Sequence, residues 1–104
     1  MSSIARWTTP SFSYKPSAVQ ASDIAEIYLS VKQDGMTVPI LKDIDSATVV
    51  SGAFVWDLSQ AETASINVGS SVKVQVDYKT NSGKRFTTRV HSFSVDDSAV
   101  QEVI

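Results

Sequence analysis

The chain has 104 residues, enough for one hydrophobic core and too few for two. Its 42% hydrophobic and 19% charged residues match ordinary globular composition and argue against wholesale disorder. Nine basic against eleven acidic residues, a net charge of −2 without a Lys/Arg cluster, argue against nucleic acid as a partner, and the absence of cysteine removes disulfides, thiolate nucleophiles and cysteine-based metal sites.

The opening Met1-Ser2-Ser3-Ile4-Ala5-Arg6-Trp7 has no basic segment followed by an apolar run. It therefore reads as cytoplasmic synthesis without a signal peptide. No stretch approaches the roughly 20 apolar residues of a membrane span, so no membrane partner is expected. Residues 1–10 read as an N-terminal arm, in which Trp7 either folds over one end of the domain or anchors a neighbour.

Ser11 to Lys15 alternates Phe12 and Tyr14 with polar residues between Pro10 and Pro16, which predicts a short edge strand, since proline lacks the ladder donor. After a connector over 17–22, Ala25 to Gln33 predicts a second strand with Ile27, Leu29 and Val31 inward. Tyr28 falls on its outer face, as a cross-strand partner or part of a contact surface. Asp34-Gly35 predicts a tight turn, and Met36, Val38 and Ile40 continue the alternation into a strand that Pro39 confines to an edge. Lys42 to Ser46 is turn-like. Thr48 to Ser51 and Ala53 to Leu58 are two short strands around Gly52, or one strand bent there; Phe54, Trp56 and Leu58 share a face, with Trp56 in the core. Ser59-Gln60-Ala61-Glu62 fits a capping box that opens one helical turn through Ala64.

Val72 to Val95 carries the clearest pattern. Val72, Val74, Val76 and Tyr78 alternate with Lys73, Gln75, Asp77 and Lys79 before a Thr80-Asn81-Ser82-Gly83 turn, which predicts a hairpin with one buried face. In the returning strand Phe86 and Val90 are even but Phe93 and Val95 odd, so a bulge is expected near His91 and Ser92. Residues 96–104, acidic and then apolar at Val100, Val103 and Ile104, read as a C-terminal tail. The whole predicts an all-β chain: an immunoglobulin-like antiparallel β-sandwich of about seven strands, one domain over 1–95.

Chemistry is sparse. His91 reads as an ordinary strand histidine, because a base needs an oriented partner and a metal needs several ligands. Asp34, Asp43 and Asp45 do not match a calcium loop and read as turn residues, as do Asp96 and Asp97. With no phosphate loop, nucleophile elbow or zinc-binding helix, no enzyme activity, catalytic residue, cofactor or metal is expected. Arg85 and Arg89 are expected to share a face with His91, opposite Lys73, Asp77 and Lys79, either as a charged sheet face that discourages aggregation or as a docking surface. The candidate partner-contact residues are Trp7, Tyr28, Lys73, Arg85, Arg89, Val103 and Ile104.

Several pieces in this order carry a resemblance: Thr8-Thr9-Pro10-Ser11-Phe12-Ser13-Tyr14, Ile24-Ala25-Glu26-Ile27-Tyr28-Leu29-Ser30, Leu58-Ser59-Gln60-Ala61-Glu62-Thr63, Val72-Lys73-Val74-Gln75-Val76, Thr80-Asn81-Ser82-Gly83-Lys84 and Ser94-Val95-Asp96-Asp97 with Glu102-Val103-Ile104. Over nearly its whole length the chain resembles a group of small uncharacterised proteins encoded in phages and prophages of Gram-positive gut bacteria. The resemblance implies a non-catalytic β-sandwich structural or accessory protein assembled into the virion, at its tail, baseplate or neck. Its partners would be other phage structural proteins or further copies of itself, as a homo-oligomer. No catalytic residue carries over, and the opening Met1 to Trp7 departs from the shorter start the resemblance implies. The alternative is a carbohydrate-binding or adhesin-like module, which would require Tyr14, Tyr28 and Trp7 exposed in one plane.

Overall fold

Alternating apolar and polar side chains build the two longest strands, and their pairing organises the rest. The computed structural model describes residues 3–36 and 38–104; residues 1 and 2 of the expected arm, and residue 37 in the expected Met36–Ile40 alternation, lie outside the described residues. In chain order the elements are β1 (Ser3–Ala5), β2 (Ser11–Tyr14), β3 (Ile24–Gln33), β4 (Ile40–Lys42), β5 (Thr48–Val50), β6 (Ala53–Asp57), the short helix α1 (Gln60–Ala64), β7 (Val72–Thr80), β8 (Arg85–Thr87) and β9 (His91–Asp96). They form two sheets. One runs β1-β9-β7-β3-β4 with β8 also on β7, and the other runs β2-β6-β5.

The chain is all-β, with nine strands among the described residues where the alternation predicts about seven. Two physical causes account for the difference. The N-terminal arm supplies β1, which pairs parallel with β9 through Ser3–Ser94, Ile4–Val95 and Ala5–Asp96 and buries Ile4. The last expected strand is split by a bulge. Asp77 pairs with Thr87 and Val74 with His91, so three steps along β7 match four along β8–β9. The extra residue lies within 88–90, just before the expected position. Thr88 repairs the broken ladder, since its Oγ1 accepts from the Val76 N–H at 3.0 Å while its own N–H donates to the Val76 carbonyl at 2.9 Å.

The expected strand from Met36 also needs correction. Among the described residues of that stretch only Ile40–Lys42 pairs with β3, and Val38 stands 75% exposed, since Pro39 has no ladder donor. The result is an edge strand, as proline requires. At residues 51 and 52 the alternative of one bent strand gives way to a two-residue hairpin: Val50 pairs with Ala53, and Ser51 and Gly52 both take left-handed φ values of 51° and 80°.

The core lies between the sheets. Ile27, Leu29 and Val31 from β3, and Val72, Val74, Val76 and Tyr78 from β7, face Phe54 and Trp56 of β6, with Leu58, Ile66, Ile4 and Val95 closing one end. Trp56 is buried as expected, and its indole N–H donates to the Asp43 carbonyl at 2.9 Å. Three side chains secure the connections. The Ser59–Glu62 capping box opens α1 as its sequence predicts. Thr63, fully buried in α1, accepts from the Thr8 N–H at 3.1 Å and donates to the Thr8 carbonyl at 2.8 Å, tying the crossing from β1 to β2 onto the helix. Gln33 points inward at the end of β3, where its amide donates to the carbonyls of Asn67 and Ser70 at 2.7 and 2.9 Å and accepts from the Asn67 N–H at 2.9 Å, holding the loop before β7.

Candidate functional site

Three surfaces gather the candidate residues. The first is the outer face of the larger sheet. Cross-strand pairs point to the same side of a sheet, so the register sorts them. Tyr28 lies opposite Asp77, Glu26 opposite Lys79, Arg85 opposite Lys79, and Lys73 opposite Lys32 and Ser92. Tyr28, Lys73 and Arg85 therefore share this face, and a shallow depression of about 480 Å³ lies among Glu26, Tyr28, Asp77, Lys79 and Arg85. The Tyr28 hydroxyl donates to Glu26 at 3.4 Å, and the Glu26 carboxylate raises its pKa above the ordinary phenol value, with Asp43 adding to the effect. Among the described residues the ion pairs are Arg6–Asp97 and Lys42–Glu62, so the charges on this face stand unpaired.

The bulge separates what the sequence groups together. His91 lies opposite Val74, whose side chain is buried, and so turns toward the space between the sheets, while Arg85 is on the outer face. The expected common face of Arg85, Arg89 and His91 is not formed, because one inserted residue reverses the side of everything after it. Arg89 lies exposed within the bulge.

The second surface is a cleft of about 270 Å³ between the edge strand β2 and the β8–β9 edge. Leu29, Trp56, Val74 and Val76 form its floor, Phe12, Tyr14 and Phe93 its walls, and Thr88 and His91 part of its rim. Phe12 meets Phe93 edge to face at 5.7 Å, and Tyr14 lies 5.8 Å from Tyr78. Burial, then the neighbouring Tyr78, pushes the Tyr14 phenol up to about 12. Sequence reasoning did not assemble this cleft. Its one legible signal was two aromatics alternating on a short, proline-bounded edge strand.

The third surface surrounds α1 and the chain ends. Arg6 donates to the Ala64 carbonyl at 2.8 Å and pairs with Asp97 at 3.1 Å, so β1, α1 and the start of the C-terminal segment meet at one guanidinium. Trp7 follows, half-buried, in a left-handed conformation with φ 66° that a bulky residue adopts only when its surroundings hold it there. Arg6 Nε and Trp7 Nε1 are buried without hydrogen-bond partners. Beyond β9, Gln60 accepts from the Ile104 N–H at 2.8 Å and donates to its carbonyl at 3.0 Å. Val103 and Ile104 remain 64% and 84% exposed.

Tyr14, Tyr28 and Trp7 do not share a plane: Tyr14 faces the cleft and Tyr28 the outer face of the other sheet, while Trp7 precedes Thr8 in the crossing tied to α1. Asp43 caps the turn at Ile44–Ser46 by accepting from the Ser46 N–H at 3.1 Å, which fits its reading as a turn residue. Among the described residues no three His, Cys, Asp or Glu side chains converge as metal ligands, and no helix is long and apolar enough to cross a membrane. Comparison with protein-family models and with curated proteins finds no match for the chain.

Proposed function

We propose that this chain is a non-catalytic protein-contact domain with an immunoglobulin-like β-sandwich fold, serving as a structural or accessory part of a phage virion. The strand order supports the fold reading: β9-β7-β3-β4 facing β2-β6-β5 corresponds to the G-F-C-C′ and B-E-D sheets of that architecture, with β1 as an additional edge strand beside G. One observation carries the contact function. The fold buries a continuous core, yet Val100, Val103 and Ile104 stand outside it on a segment that follows the last strand. Apolar side chains gathered on one such segment gain most by burial against another surface, and repeated assemblies supply such surfaces by symmetry.

The virion assignment rests on the sequence resemblance. It is tested by mass spectrometry of purified phage particles from a host carrying the gene. The chain is expected to copurify at a fixed ratio to the major structural proteins, and its absence from washed particles would contradict the assignment. The carbohydrate-binding alternative lacks a shared aromatic plane to favour it.

A further inference from the structure

We propose that Gln60 and Arg6 hold residues 97–104 as a preformed strap, whose outward valine and isoleucine side chains meet a second copy of this chain while the strap stays in place. The proposal rests on the contact-domain reading and adds how its contact segment is positioned.

The segment lies beyond β9 and belongs to no strand or helix, so side chains fasten it at both ends. At the root the Asp97 carboxylate accepts from the Arg6 guanidinium at 3.1 Å, from the Ser98 N–H at 3.0 Å and from the Gln101 side-chain amide at 3.0 Å. Arg6 is itself anchored. Its backbone N–H donates to the Asp96 carbonyl at 2.8 Å, and its guanidinium also donates to the Ala64 carbonyl at 2.8 Å. At the tip the Gln60 side-chain amide takes both backbone groups of Ile104, accepting from the N–H at 2.8 Å and donating to the carbonyl at 3.0 Å. One amide that serves both groups of one residue imitates the paired exchange of an antiparallel ladder, and it fixes the direction of the backbone as well as its position.

This arrangement inverts the usual division between inside and outside. Polar groups of the segment turn to the body, while Val100, Val103 and Ile104 stand 48%, 64% and 84% exposed. A segment folded for its own stability hides its apolar side chains, because their burial is the main favourable term. Here side-chain hydrogen bonds supply the order, and the apolar groups are left for another surface.

The exposure also decides between a strap that stays and one that lets go. Release makes these side chains no more available, since they already face solvent. It only defers the entropy of ordering the backbone to the moment of association, which weakens binding. Gln60 and Arg6 are therefore positioning residues for the contact. Gln60 is the cleaner probe, because its ties to Ile104 are exposed and α1 keeps its own cap at Ser59 and Glu62.

The test uses the full-length chain with Gln60→Ala and the similarly shaped Gln60→Met, both of which remove the two hydrogen bonds to Ile104. Sedimentation equilibrium reads the contact, and heteronuclear NOEs of the backbone amides, taken in the dilute monomer, read the order of the segment. Both variants are expected to associate about fivefold more weakly than wild type, which corresponds to two exposed hydrogen bonds at the low end of their usual worth. The amides of residues 100–104 are expected to become mobile while the urea midpoint of the domain stays unchanged. Association by both variants as strong as that of wild type, or stronger, overturns the proposal, because the contact is then made by a released segment. A lowered urea midpoint with unchanged association overturns it as well, since Gln60 is then structural. In both of those outcomes wild type still associates and the contact-domain reading stands; a wild type that is monomeric at every concentration removes the reading and the proposal together.

Discussion

Thr63→Val provides the sharpest test of how the ends of this fold are held. The substitution keeps the shape of a side chain that is 0% exposed and removes the oxygen that satisfies both backbone groups of Thr8. An unsatisfied buried polar group costs about 1–3 kcal/mol, and because Thr8 is half-buried the lower part of that range applies to each of its two groups, about 2–3 kcal/mol together. The added methyl returns about 0.8 kcal/mol, leaving a net loss of about 1.2–2.2 kcal/mol. For a domain of this size that lowers the melting temperature by about 5–10 °C. Thr63→Ser keeps the hydroxyl and loses a methyl, at about 1 kcal/mol. Urea unfolding is therefore expected to rank the proteins wild type, Ser, then Val, with unchanged m-values. A Val variant as stable as the Ser variant would refute the argument that the Thr8 hydrogen bonds, rather than packing alone, fasten the β1–β2 crossing to α1.

Thr88→Val removes the acceptor that replaces a ladder carbonyl at the bulge and is expected to cost about 1–2 kcal/mol. Hydrogen exchange localises the effect, with the Val76 amide losing protection while a Thr88→Ser variant retains it. At Glu62, burial alone would raise the carboxyl pKa, but hydrogen bonds and charge from Lys42, together with the Ser59 backbone and hydroxyl, outweigh it and hold it below its ordinary value. Because the folded-state value is the lower one, the stabilisation is present above the ordinary carboxylate range and is lost as pH falls through the folded value. Glu62→Gln preserves the capping box and removes the ion pair, so wild type is expected to exceed it by about 0.3–1 kcal/mol at pH 7. The difference in urea midpoints should shrink as pH falls from 7 to below the ordinary carboxylate range; an equal difference at both pH values would contradict the assignment.

The sequence disclosed most where one local rule acted without competition. β3 and β7 follow strict alternation, Ser59-Gln60-Ala61-Glu62 forms its box, and the parity change between Phe86 and Phe93 marks a bulge. It disclosed less where partners lie far apart in the chain. Ser3 to Ala5 has no strand signature of its own and becomes a strand because the free edge of Ser94 to Asp96 and an apolar slot for Ile4 await it. Gln33 fills an inward position in an otherwise apolar series, and its role depends on backbone groups more than thirty residues away at Asn67 and Ser70. The charged outer face is legible in Tyr28, Lys73 and Arg85, but parity alone positions an inserted residue only to within a step or two, and because it falls before His91 that side chain leaves the face of Arg85. The cleft is not legible because its walls come from β2 and β9 and its floor from β3, β6 and β7, whose arrangement across two sheets no local pattern encodes.

The account centres on residues 97–104 as a contact element, and sedimentation equilibrium of the full chain beside a version ending at Asp96 tests it most directly. The truncated version retains all of β9 and the Ile4–Val95 pairing, so its fold is expected to persist by circular dichroism. The full chain should show an average mass that rises with concentration above the 11.3 kDa of one copy, while the truncated chain stays monomeric throughout. Two samples monomeric at every concentration, or a truncated chain that associates as strongly as the full one, would contradict it.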